Sequence, residues 1–171
     1  MLYIHIPFCH RKCSYCAFFS KVTDYSTARY VEALCCELEQ RGRGELSAPL
    51  GSKIHTVYFG GGTPSLLPVE LIGRIVDTIA RCYDLSELEE ATLECNPEDV
   101  SPEFLQQLER LHFFNRLSIG VQSLHDDDLR RLNRRRSSRQ ATDAINCAVE
   151  SGIKHLSVDL IYGLPYQSAA K

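Results

Sequence analysis

Three cysteines near the start of the chain have the type and spacing to do chemistry. Cys9, Cys13 and Cys16 read Cys-x3-Cys-x2-Cys, directly after an apolar run of strand type. Thiolates bind soft metals and hold iron–sulfur clusters. Three of them cannot close a four-iron cluster. One iron keeps an open position, and an open position on a metal is where chemistry takes place. The alternative is a zinc site with His5 or His10 as fourth ligand. The three-then-two spacing and the lack of a second Cys-x2-Cys pair favour the cluster. The other five cysteines do not read as ligands. Cys35, Cys82 and Cys147 fall within helical patterns, and Cys36 lies one residue off an apolar stripe. Cys95 neighbours Glu94 but alternation along a strand turns it to the other face.

Further polar groups interrupt otherwise apolar segments. Gly60-Gly61-Gly62-Thr63-Pro64 follows a strand pattern, so its backbone can approach a ligand closely and offer N–H groups to a carboxylate or phosphate. A plain tight turn is the simpler reading. The stretch fits neither GxGxxG nor the Walker pattern, so a nucleotide phosphate loop is not indicated. Glu94 and Asp159 sit in apolar strand patterns, where a buried acid requires a partner. A structural pairing fits, and so does accepting from an ammonium or a ribose hydroxyl. Arg130, Arg131, Arg134, Arg135, Arg136 and Arg139 form the one basic cluster. A solvated helix face accounts for most of it, although one arginine could turn inward to clamp a carboxylate bidentately. No aromatic residues interleave the run, and with a net charge of -3 we expect no nucleic-acid partner.

The elements that must position these groups alternate along the chain. Strands are expected at 2–6, 54–59, 91–95, 116–121 and 154–161. Helices are expected at 25–41, 69–82, 101–111, about 127–132 and 138–151, with a flexible loop over 42–52. Val31, Leu34, Cys35 and Leu38 make one stripe, and Ile72, Ile75, Val76 and Ile79 another. Five β-α steps imply parallel strands in an α/β fold, either a doubly wound sheet or a TIM-like barrel. Both place their sites at the C-terminal ends of the strands. There the cysteines follow strand one, the glycines strand two and Gln122 strand four. Glu94 comes near the end of strand three and Asp159 late in strand five. All five strands deliver something unusual to one edge.

The 171 residues suffice for one domain with a core, and 44% hydrophobic with 24% charged residues is an ordinary globular balance. No apolar run approaches the roughly 20 residues of a membrane span. The start lacks the marks of a signal peptide. A cytoplasmic location is expected, where eight cysteines serve as ligands or core residues rather than disulfides.

Five ordered motifs carry a resemblance over essentially the whole chain. They are Tyr-Ile-His-Ile-Pro-Phe-Cys (3–9), Phe-Gly-Gly-Gly-Thr-Pro-Ser (59–65), Leu-Glu-Cys-Asn-Pro (93–97), Arg-Leu-Ser-Ile-Gly-Val-Gln-Ser (116–123) and Asp-Leu-Ile-Tyr-Gly-Leu-Pro (159–165). Together with the cysteine spacing, these resemble the radical S-adenosylmethionine (SAM) superfamily. Within it they resemble the oxygen-independent coproporphyrinogen III oxidase family, and most of all its HemW-type haem-chaperone branch. Phe18 stands where the true oxidases carry a further cysteine, and Met1 opens directly onto the first strand, where the oxidases carry an extra segment. Cys95 and Arg136 depart from the residues usual in the branch.

The resemblance implies a partial (β/α)6 barrel with about five β-α units present. It implies a [4Fe–4S] cluster on Cys9, Cys13 and Cys16, with the open iron chelated by the amino and carboxylate groups of SAM. Gly61, Gly62 and Thr63 would hold the amino group. Glu94, Gln122, Arg134 and Asp159 match further SAM-contacting positions, and Tyr3 and Tyr15 flank the site. It also implies a haem or porphyrin client and an electron donor such as flavodoxin or ferredoxin. The alternatives are oxidative decarboxylation of a porphyrinogen, or a non-catalytic metal scaffold. Residues 1–171 are expected to be a radical SAM core domain cut before its sixth strand and a C-terminal domain. Such a piece exposes an edge strand and apolar surface, so instability and binding without turnover are expected of it.

Overall fold

A computed structural model of the chain describes residues 1–22, 26–45, 53–134, 137–165 and 167. Strands and helices alternate: β1 (Leu2–Ile6), α1 (Thr27–Gly42), β2 (Thr56–Gly61), α2 (Val69–Cys82), β3 (Glu90–Cys95), α3 (Pro102–Glu109), β4 (Arg116–Gln122), α4 (Asp126–Arg131), α5 (Ser138–Glu150) and β5 (His155–Leu160). The expected helix start at Tyr25, part of the 42–52 loop, and Arg135 and Arg136 lie outside the described residues. The five strands form one parallel sheet in the order β1-β2-β3-β4-β5. This order decides between the two architectures left open above. A doubly wound sheet reverses its strand order at a switch point. Here the order never reverses, so right-handed crossovers put every connecting helix on the same face, as in a barrel.

Alternation along each strand divides the sheet into two faces. Ile4 and Ile6, Val57 and Phe59, Leu93 and Cys95, and Leu117 and Ile119 point one way and are buried in the core. The stripe of α2 packs there, with Ile72, Ile75 and Ile79 fully buried. Edge-to-face ring contacts extend this core from Phe59 to Phe114 at 5.1 Å and on to Phe113 at 5.2 Å. The opposite face is polar. Tyr3, Tyr58, Glu94, Arg116, Ser118 and Asp159 share its alternation, and Arg116 joins Glu90 (3.0 Å) to Ser157 (3.2 Å) across three strands.

Local signals place the helices. Ser101 caps α3 by accepting from the Phe104 N–H, with Pro102 in the first turn. Ser137 and Gln140 form a capping box at α5. One strand differs from expectation at its end. β2 continues through Gly60 and Gly61 rather than stopping at Phe59, because His5 and Ile6 of β1 pair with those glycines. At the other end β5 is an edge, and its Val158 (40%) and Leu160 (57%) are exposed, as anticipated for apolar surface beside an open edge. Among the described residues no helix is long and apolar enough to cross a membrane.

Among the described residues Phe59 is the largest fully buried side chain. Phe59→Ala is predicted to lower the unfolding free energy by about 3–5 kcal/mol, measured by denaturant melts followed by circular dichroism.

Candidate cluster and cofactor site

The cysteine loop leaves β1 through buried Pro7 and Phe8. Its two ends are tied together, since Cys9 N–H donates to the Lys21 carbonyl (3.1 Å) and Lys21 N–H to the Pro7 carbonyl (2.6 Å). Cys16 N–H donates to the Cys13 carbonyl at 3.2 Å, which closes a tight turn between two of the ligand candidates. The three cysteines are free thiols lining one cavity of about 400 Å3. A second clamp comes from the turn after α4. Asn133 Oδ1 accepts from Arg11 Nη1 (3.3 Å), and Asn133 Nδ2 donates to the Lys12 carbonyl (3.3 Å). Ser14 Oγ donates to the Arg131 carbonyl at 3.3 Å. The chain's own hydrogen bonds therefore shape the loop.

An adjoining cavity of about 130 Å3 shares Tyr15, Cys16, Gly62, Thr63 and Arg134 with the first. Gly61, Glu94, Gln122 and Asp159 line it too, so the structure brings eleven of the twelve residues singled out above to one place. The exception is Tyr3, which lies outside both linings. It stacks on Tyr58 with ring centroids 6.1 Å apart, and the Tyr58 hydroxyl donates to Glu94 Oε1 at 2.7 Å. Burial and this bond to Glu94 push the Tyr58 phenol well above its usual range, so it remains a donor.

Each candidate has a specific setting. Glu94 accepts a second bond from the Gly61 N–H at 3.2 Å, so the half-buried acid is paired. Gln122 adopts φ 70° at the end of β4, where the β4–β5 register shifts. Asp159 is exposed on the edge strand rather than buried, so it needs no structural partner. Arg134 is the arginine that turns inward. Its Nη2 donates to the Tyr15 hydroxyl (2.8 Å) and its Nη1 to Asn96 Oδ1 (2.8 Å). Burial opposes its charge most strongly, but the Tyr15 hydrogen bond together with the nearby Cys13 and Glu98 more than offsets it and holds the guanidinium above its usual range. Arg130 and Arg139 pair with Asp127 and Asp143 on exposed helix surface. Burial pushes the Cys95 thiol far up, as suits a core residue rather than a ligand.

The glycines have a more local purpose than expected. A Cβ on Gly62 would stand 2.6 Å from the Phe8 carbonyl oxygen, and one on Gly61, at φ 113°, would stand 2.5 Å from the His5 ring. Their missing side chains admit the chain's own β1 segment.

Sequence reasoning missed two asparagines. Asn96, which the Leu-Glu-Cys-Asn-Pro motif contains without marking it as a site residue, joins Arg134 (Nη1 to Asn96 Oδ1) to Thr63 (Asn96 Nδ2 to Thr63 Oγ1, 3.1 Å). Asn133 sits at φ 60°, and the signal for it was a lone asparagine closing a helix, the residue after glycine that best tolerates this conformation.

The donor set fits a cluster better than a single zinc ion. Among the described residues, the three-donor group gathered within 4.8 Å is His10, Glu98 and Asp99, and the three cysteine sulfurs do not meet that limit. Three thiolates on one ion at about 2.3 Å need sulfurs about 4 Å apart. In a polynuclear centre each iron takes its own sulfur, which three thiols around one cavity can supply. His5 bonds Phe19 and Tyr3, and His10 faces the two acids.

The fold and this site define a class. The radical SAM superfamily model matches residues 3–171, and the chain belongs to that superfamily, whose members use SAM and an iron–sulfur cluster. Over 172 residues it is 37% identical to the heme chaperone HemW of Haemophilus influenzae, covering 98% of this chain and 44% of that protein. It is 38% identical over 169 residues to the mitochondrial radical S-adenosyl methionine domain-containing protein 1 of Danio rerio, covering 99% and 37%. Among solved structures it is similar to coproporphyrinogen III oxidase (HemN) of Escherichia coli, a radical SAM enzyme, with TM-score 0.81, 31% identity, and 98% and 38% of the two chains covered. The chain thus spans less than half the length of each of these relatives.

Asn133→Ala removes two bonds, each worth about 0.5–1.5 kcal/mol, from the loop carrying Cys9 and Cys13. We predict that it speeds chelator-driven loss of a reconstituted cluster about fivefold or more, followed by the decay of visible absorbance.

Proposed function

We propose that this chain is a radical SAM core domain of the HemW type. Cys9, Cys13 and Cys16 bind a [4Fe–4S] cluster, and SAM completes it at the open iron. The observation that carries this reading is the pair of contiguous cavities, which share Tyr15, Cys16, Gly62, Thr63 and Arg134. Arg134, already charged and aimed by Asn96 and Tyr15, takes the SAM carboxylate. Backbone at Gly61, Gly62 and Thr63 holds the amino group. Glu94 sits beside them and offers an acceptor to the ammonium. Gln122 and Asp159 take hydroxyls of the ribose. Tyr15 covers the cluster side, while Tyr3 acts through Tyr58 and Glu94. The reduced cluster supplies one electron for reductive cleavage of SAM.

The relatives' names point to a haem or porphyrin client and a place in haem metabolism. An external one-electron donor of the flavodoxin or ferredoxin kind would reduce the cluster. Eight cysteines as free thiols suit the reducing cytoplasm.

Anaerobic reconstitution is predicted to load about four irons per chain. Cys9→Ala, Cys13→Ala and Cys16→Ala should each lose most of that iron. Equal loading by the variants, or one zinc per chain without iron, would refute the reading. Haem titrated into the same preparation, followed by its absorbance, tests the client separately.

A further inference from the structure

Thr63 and Asn96 form a chain of hydrogen bonds from the proposed carboxylate clamp to a cluster thiolate. Arg134 Nη1 donates to Asn96 Oδ1 at 2.8 Å. Asn96 Nδ2 donates to Thr63 Oγ1 at 3.1 Å. Thr63 Oγ1 lies 3.6 Å from Cys9 Sγ, within hydrogen-bond reach for the larger sulfur atom, and Thr63 is only 5% exposed.

The directions of these bonds are not interchangeable. A guanidinium has donors and no acceptor, so Asn96 must present its oxygen to Arg134. Its NH2 group is then turned to Thr63, whose hydroxyl must accept there. The hydroxyl proton is left with one destination in this chain, Cys9 Sγ. Rigid supports hold both intermediates. Asn96 N–H donates to Ser65 Oγ (3.2 Å), and Ser65 Oγ donates to Asp99 Oδ2 (2.6 Å). Thr63 N–H donates to the Phe8 carbonyl at 2.7 Å, one residue before the cysteine it serves.

We infer that Asn96 and Thr63 are positioning residues that set the cluster's reduction potential and link it to SAM binding. A hydrogen bond to a ligating sulfur disperses its negative charge. It stabilises the reduced, more negative cluster and so raises the potential. The same asparagine aims Arg134, so the clamp and the sulfur share one support. The inference rests on the cluster and SAM assignment above.

The test uses the chain reconstituted anaerobically, with the midpoint potential from an EPR-monitored redox titration. Thr63→Val keeps the shape and removes the O–H, and its potential should fall below the parent's. Thr63→Ser restores the donor and should return the potential toward the parent value. Asn96→Ala should lower the potential in the same direction and raise the dissociation constant for SAM about 10- to 100-fold. The double variant should shift the potential no further than Thr63→Val alone, because Asn96 reaches the sulfur only through the Thr63 hydroxyl. A potential unchanged in Thr63→Val, with full iron loading, would overturn the inference and leave the cofactor assignment standing. A parent chain that takes up no iron would sink the assignment instead. If Thr63→Val fails to load, Thr63→Ser and Asn96→Ala decide. The inference requires parent-like behaviour in Thr63→Ser and a lowered potential in Asn96→Ala, and it fails on any other pair.

Discussion

The site depends on how closely the backbone after β2 packs against the backbone after β1. Gly62 N–H donates to the Ile6 carbonyl at 2.8 Å, and Thr63 N–H to the Phe8 carbonyl at 2.7 Å. Both bonds need Gly62 without a side chain, since any Cβ there would overlap the Phe8 oxygen. This contact extends the β1–β2 ladder beyond the strands and fixes where the cysteine loop begins. Thr63 is thereby set beside Cys9, and Asn96 reaches across from the end of β3 to both Thr63 and Arg134. One glycine thus joins the metal loop to the groups that surround it.

A polar sheet face is costly unless it is satisfied, and here it is satisfied in layers. At the foot of the strands Glu90, Thr92, Arg116, Ser118 and Ser157 bond one another. Higher up, Tyr58 and Gly61 hold Glu94. At the top, where the strands end, come Asn96, Tyr15 and Arg134. The lower layers tie neighbouring strands to one another. The apolar face on the other side carries the packing energy.

Much of this was legible in the residues. Apolar runs of strand type indicated the strands, and the helical stripe of Ile72, Ile75, Val76 and Ile79 indicated both a helix and the face it buries. Cys9, Cys13 and Cys16 stood out as ligand candidates by their spacing, and the fold gathers them around one cavity. Strand order was not legible, because adjacency is a tertiary property that five β-α steps leave open between sheet and barrel. That Gly61 and Gly62 also make room for β1 was not legible for the same reason, since the neighbour that needs their space lies more than fifty residues away in sequence. Asn96 and Asn133 were passed over because a short amide side chain carries no periodicity. Only its partners show that it bridges two loops.

The central claim is that the cluster's open iron is closed by SAM, held in the cavity between Gly62, Glu94 and Arg134. Pulsed electron–nuclear spectroscopy on the reduced cluster, with SAM carrying 15N in its amino group, tests this most directly. The account predicts a resolved 15N hyperfine coupling that appears on adding SAM and is absent with unlabelled SAM. Tight SAM binding to the reduced protein with no such coupling would contradict it.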